Sequence, residues 1–298
     1  LASVFGLPLS GALLHMDGIF GYAGWRWLYF VEGVPAVLLG LVVLKYLPDR
    51  VQDAKWLSAA QADWLAQTIA DETAHAPAGH AAGWRRAFVD PKVWLLSLFW
   101  LLQAFGTIGV TLFLPQILKG LSGESDFMVS LLSALPFLLA CALMYWNGRH
   151  SDARLERRLH LGLPLLASGA LLFASAYSGN LTATFLLLMT AIGLNWAVTP
   201  VFWAVTTEYL AGGAAAAGAI ALINAIANIA GVGAPPIMGY LRDQTGSYSP
   251  GLIIIAGALI AGGLLGLFLV RRLRPATPAH PNAAGFRQAN PTQTQTHP

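Results

Sequence analysis

The sequence predicts an all-α polytopic membrane protein with about eight transmembrane helices, on three observations. First, 56% of its 298 residues are hydrophobic and only 10% charged, with a mean hydropathy of +0.60. Soluble domains carry about 25% charged residues, so this chain has too few to cover a water-facing surface. Second, apolar stretches recur at about the ~20 residues that cross hydrocarbon. Third, lysine and arginine concentrate in alternate connections: fourteen fall on one side and three (Arg26, Lys119, Arg242) on the other. That asymmetry puts the larger set in the cytoplasm.

In chain order, Leu1 to Leu14 is apolar but short, and it does not read as a signal peptide because no positive region precedes it. It is expected to be the end of a helix that starts before the sequence does. His15 to Gly24 is a polar, glycine-rich turn, and Trp25-Arg26-Trp27 opens a span reaching about Tyr46 with aromatic rings at the interface. Residues 47–90 form a long cytoplasmic loop. Within it Ser58-Ala59-Ala60-Gln61 has capping-box spacing, and Trp64, Leu65 and Ile69 form one apolar stripe, predicting a surface-lying amphipathic helix. His75, Pro77, Gly79, His80 and Gly83 are expected to loosen the chain behind it. Asp90-Pro91 places a cap before a first-turn proline. Spans are predicted over 93–118, 127–147, 161–178, 182–207, 214–240 and 250–270. The division is therefore 1–46, 47–90, 91–270, and a tail at 271–298 whose Pro, Ala, Asn, Gln and Thr predict disorder.

Other classes fit poorly. The net charge of +3 comes from arginines scattered between helices, which argues against a nucleic-acid partner. Cys141, the single cysteine, lies in an apolar span and reads as a packing residue. No zinc spacing occurs, and no cofactor is expected. The densest charge run, Gly148 to Arg158, separates two spans free of ionised groups; an arginine there costs roughly 2.5–3.5 kcal/mol in hydrocarbon, so the run is expected in water.

Four stretches resemble the major facilitator superfamily, and within it the anion:cation symporters that carry small carboxylates such as tartrate, phthalate, nicotinate and hexuronate. Gly24 to Ala36 is similar to that family's sixth helix, and Leu114-Pro115-Gln116-Ile117 to the end of its seventh. Gly148 to Arg158 resembles the second copy of its cytoplasmic loop motif. Ala214 to Gly246, with Asn224, Asn228, Pro235 and Asp243, resembles its eleventh helix and exit. Ala153 and Leu155 depart from the loop pattern, where a basic residue and Gly are usual, and Ala227, Ala230 and Ala234 stand where Gly is usual. The resemblance implies a partial major facilitator fold: the end of the fifth helix and the sixth helix from an N-terminal bundle, then a complete six-helix C-terminal half. The first four helices and part of the fifth are expected to be absent.

Candidate pathway residues are the polar side chains near mid-span. Gln103, Asn195, Asn224 and Asn228 lie at similar depth on three spans, Asn224 and Asn228 on one helix face. Amides of this kind also join helices structurally, at about 0.6 kcal/mol each. Trp100, Trp196 and Trp203 offer stacking surfaces, and Trp203 joins the candidate pathway residues. Spans 161–178 and 250–270 offer little polarity, and the resemblance makes them outer helices. No Lys or Arg lies mid-span, so the cation that an anionic substrate wants is expected in the missing half. Glu32 reads as a helix-end anchor and Glu208 as a solvated helix end or gate group. The resemblance makes Gly148, Asp152, Arg154, Arg157 and Arg158 a cytoplasmic gate loop, Asp152 facing a helix N-terminus.

The leading expectation is secondary active transport of a small carboxylate, proton-coupled, by a monomer in the inner (plasma) membrane. A membrane-embedded enzyme needs paired acids or a Ser/His pair at depth, which no span offers. The remaining alternative is a non-transporting remnant or accessory membrane protein.

Overall fold

The computed structural model describes residues 2–74, 87–210 and 214–273. Among them no strand occurs, and the helices are α1 (Ala2–Leu14), α2 (Gly24–Tyr46), α3 (Ala59–Ala74), α4 (Pro91–Ser122), α5 (Asp126–Arg154), α6 (Arg158–Ala176), α7 (Leu181–Leu210), α8 (Ala214–Ala227), α9 (Ile229–Thr245) and α10 (Ser249–Arg272). Among the described residues seven spans are long and apolar enough to cross a membrane, with α8 and α9 sharing one; Ala2–Leu14 is a shorter apolar helix. That matches seven spans plus the partial first. The loosening residues His75 to Gly83 and most of the tail lie outside the described residues.

Two predicted helix starts form as their side chains dictate. The Ser58 and Gln61 side chains each accept the other's backbone amide, at 3.3 and 3.1 Å, which satisfies two otherwise orphaned donors ahead of α3. Asp90 accepts the Lys92 amide at 2.9 Å, and Pro91 takes the first position of α4, where no donor is lost.

One expectation needs correction. The charge run was expected to be a loop, but α5 continues through Arg154 and the chain turns only at Leu155 to Arg157. Nothing between Gly148 and Arg154 breaks a helix: one glycine costs about 1 kcal/mol, and the others are tolerated. The 214–240 span forms, as Ala216–Thr245, with a break midway between α8 and α9. The carbonyl of Asn224 accepts both the backbone and the side-chain nitrogen of Asn228, at 3.0 and 2.9 Å, and the next bond, Gly231 to Asn228, is a three-residue step. The chain tightens there, and Pro235-Pro236 removes two more donors a turn later.

The bundle core is apolar, with Leu96, Phe99, Leu161, Leu188, Phe202, Ile223 and Ile255 almost fully buried. The most extensive helix pairing joins α6 and α10. It rests on glycine: a Cβ on Gly263 would lie 2.7 Å from the Leu166 backbone nitrogen, and one on Gly162 would lie 2.9 Å from the Gly263 carbonyl. Lipid tails give apolar helices no hydrophobic reason to associate, so close backbone packing of this kind is what holds them. Around that pair α4 packs on α7, α8, α9 and α10, α5 on α7, and α1 on α5. By contrast α2 touches mainly α1 and exposes nearly all its apolar surface.

Candidate functional site

The polar centre of the bundle is built by α4 and α7. Gln103 and Asn195 are each 3% exposed. Gln103 Nε2 donates to Thr107 Oγ1 at 2.9 Å and to the Asn195 carbonyl at 3.3 Å. Asn195 Nδ2 donates to the same Thr107 oxygen at 2.9 Å. The Thr107 hydroxyl donates to the Gln103 carbonyl at 3.3 Å. One hydroxyl therefore takes amides from two helices, a knot with both lone pairs and the proton in use. Sequence reading missed Thr107; its signal was its place one turn after Gln103 on the same face.

The knot is incomplete in one respect. Among the described residues, Asn195 Oδ1 is buried without a donor, as are Thr199 Oγ1 and Thr206 Oγ1 on α7, Thr111 Oγ1 on α4, and the Trp196 ring N–H without an acceptor. Asn195, Thr199 and Thr206 recur at helical spacing on one face of α7. Buried polar atoms in native proteins nearly always have partners, so a row of them is where a polar guest or water would be accommodated.

Asn224 and Asn228 are not brought into that knot by any hydrogen bond among the described residues. Asn224 is half-buried and donates to the Ile220 carbonyl at 3.0 Å, while Asn228 is exposed and donates to the Asn224 carbonyl. The face of this segment turned to α4 carries Ala227 and Ala230, packed on Ala104 and Trp100. Trp203 stands edge-on to Trp100 and to Phe202, with ring centroids 5.4 and 5.2 Å away, while Trp100 stacks on Phe202 at 4.5 Å. Trp203 is thus part of an interhelical aromatic cluster. Gln116, near the far end of α4, accepts the Tyr248 hydroxyl at 2.9 Å.

At the other end of the bundle the charge run forms a tight network. Arg157 pairs with Asp152 and, at 2.7 Å, with Glu208 of α7, and also donates to Ser151 at 3.2 Å. Asp152 therefore meets Arg157 from its own turn rather than a helix N-terminus among the described residues. Burial alone would lower the Arg157 pKa, but Asp152 and Glu208 raise it above its ordinary value. Arg158 donates to the Leu267 carbonyl of α10 at 2.7 Å, Arg154 is exposed, and Gly148 sits opposite Pro200 with room for a methyl group. Leu155 takes φ 51°, a left-handed conformation costing roughly 1 kcal/mol for a residue with a Cβ; the family's usual Gly would avoid it. Beneath this network His160 bonds Glu156 at 2.7 Å and His150 beyond it. Burial pushes the Glu156 carboxyl up, but the Leu159 amide and His160 hold it below its ordinary value. Asn147, 2% exposed, donates to the carbonyls of His160 and Ala197 at 3.0 and 2.8 Å, tying α5 to α6 and α7. Near the chain start, Ser10 donates to Glu32 at 2.6 Å, joining α1 to α2.

An all-helical bundle whose long apolar helices meet through buried amides has the build of a multi-pass membrane protein. The sequence signature of the Major Facilitator Superfamily matches residues 1–218, and the chain belongs to that superfamily. It is 39% identical over 273 residues to a protein of Agrobacterium vitis named "Putative tartrate transporter", covering 91% of this chain and 62% of that protein. It is 32% identical over 273 residues to the quinolone resistance transporter of Acinetobacter baumannii, covering 92% and 63%. The chain thus spans less than two thirds of the length of these relatives. Among solved structures it is similar to a bacterial homologue of the human lysosomal transporter Spinster, inward-facing and unoccupied. The TM-score is 0.67 at 17% identity, over 93% of this chain and 70% of that one, a likeness that shows the fold alone.

Proposed function

We propose that this chain is part of a secondary active transporter that carries a small organic carboxylate across the inner (plasma) membrane, coupled to protons and working by alternating access. The observation that carries the reading is the buried Gln103–Thr107–Asn195 knot with its unpartnered Asn195 oxygen and Trp196 N–H. Those groups offer an acceptor and a donor at mid-depth, where transporters of this architecture hold substrate. The tartrate-named relative supports the substrate class. Asn224, Asn228 and Trp203 complete the pathway. The cation an anion needs is contributed by parts of the family fold beyond the match to this chain.

In this reading residues 1–46 belong to one helical bundle, 91–270 form the other as six helices, and 47–90 is the cytoplasmic connection, with 271–298 a disordered cytoplasmic tail. The protein acts as a monomer. The fourteen-to-three bias of Lys and Arg supports the orientation. The Arg157 network, with Gly148, Asp152, Arg154 and Arg158 around it, acts as the cytoplasmic gate, its ion pairs biasing one state over the other.

The test is uptake of labelled tartrate by cells expressing the natural protein that contains this chain, with and without an inward proton gradient. Uptake that collapses when the gradient is dissipated is expected. Gradient-independent uptake would remove proton coupling. No tartrate uptake together with quinolone efflux would replace the carboxylate reading, and neither activity would favour an accessory role.

A further inference from the structure

At the end of the bundle away from the Arg157 network, α4, α6, α7 and the α9–α10 turn enclose an open cavity of about 530 Å³. We propose that this cavity is a second anion site, separate from the central knot, that takes a small soluble hydroxylated carboxylate. Its volume falls within the roughly 300–1,000 Å³ of small-molecule sites. Both charged groups lining it are cations, Lys119 from α4 and Arg242 from α9. They are two of the three basic residues on that side of the chain. Each sits in the last turn of its helix, where a cation offsets the carbonyl end. That accounts for either residue alone but not for their convergence on one cavity.

The Arg242 side chain is held in place. Its guanidinium lies 5.3 Å from the centre of the Tyr248 ring, and Tyr248 is anchored by donating to Gln116 at 2.9 Å. This cation–π contact and hydrogen bond link α9, α10 and α4 before any ligand arrives, so little ordering remains for binding to impose. Since the Gln116 oxygen is occupied by Tyr248, its amide N–H groups are donors for a carboxylate; among the described residues they meet no acceptor. Ser247 and Ser249 add hydroxyls to the lining at the start of α10, the positive end of that helix. A cationic fork, an ammonium and amide donors fit carboxylate oxygens, and serine hydroxyls fit the hydroxyls of a hydroxy acid. Asp126 pairs with Lys119, and Asp243 lies 3.9 Å from Arg242. Neither carboxylate lines the cavity, and both temper its attraction for anions.

The test is equilibrium binding of labelled tartrate to the purified protein in phosphatidylcholine nanodiscs. The Asn195→Ala background is used so that failure of the central site leaves this measurement standing. Binding that weakens with added salt is expected, as for any exposed charge pair. Arg242→Gln should weaken it about tenfold and Lys119→Gln about threefold, the loss of a charge-assisted partner in each case. Asp126→Asn should strengthen it about threefold by releasing Lys119. Unchanged thermal unfolding of each variant checks that the fold is intact. Equal binding by all variants overturns the site, as does Asp126→Asn weakening it. Displacement of tartrate by about a fifth of phosphatidylglycerol in the disc would make a lipid headgroup the occupant and overturn the soluble-anion assignment.

Discussion

The α4–α7 pair and the α8–α9 segment both carry amides at mid-span, and they use them in opposite ways. Gln103 and Asn195 share the Thr107 hydroxyl across two helices and are almost fully buried. Asn224 and Asn228 spend their donors on carbonyls of their own segment, half-buried and exposed respectively. An amide that bonds to another helix contributes to holding the bundle; one that bonds its own backbone contributes little there and stays available. Where the same residue type is placed at the same depth, the partner decides whether it is glue, a guest's contact, or both.

The comparison predicts a graded series. The largest effect belongs to Thr107→Val, which keeps the shape and removes the one acceptor both amides share. The Asn195–Thr107 bond crosses between helices, where such bonds are worth about 0.6 kcal/mol on average, while the Gln103–Thr107 bond lies within α4. Losing both and leaving a buried amide without this acceptor should cost about 1–2 kcal/mol of stability, read by chemical unfolding in detergent. A cost below the error of that measurement would mean the knot holds nothing together. Next, a double-mutant cycle on Gln103→Ala and Asn195→Ala should give a coupling of about 0.5–1 kcal/mol, because both amides use one oxygen. The matching cycle on Asn224→Ala and Asn228→Ala should be additive, since the Asn228 side chain bonds the Asn224 backbone rather than its side chain. Coupling in the second pair and none in the first would invert the comparison. The smallest effect is expected for Asn228→Ala alone, no more than about 0.3 kcal/mol by the same scale, because an exposed amide bonded to the Asn224 carbonyl one turn back loses little when removed.

Much of this was legible in the chain. The spans were, because length and hydropathy answer directly to the bilayer, and the starts of α3 and α4 were, because Ser58, Gln61 and Asp90 act on their own next turn. The candidate amides were named by type and depth. What could not be read was which way each faced: the phase of the α8–α9 segment about its axis is set by Ala227 and Ala230 packing on α4, a tertiary fact. Thr107 escaped because threonines in helices commonly bond the carbonyl four residues back, as this one does, and nothing local announces its other two partners. The break at Asn228 and the helical continuation of α5 to Arg154 likewise depend on competition between neighbouring bonds that no composition rule resolves.

The central claim is that both regions line one pathway despite their different roles in stability. Labelled tartrate uptake by cells expressing the natural protein, normalised to membrane abundance, tests it in Asn195→Ala and Asn228→Ala. The account predicts that both lose uptake by about tenfold or more, the loss of a contact worth roughly 1.4 kcal/mol, although only Asn195→Ala destabilises the bundle. Normal uptake by Asn228→Ala at normal abundance would contradict it.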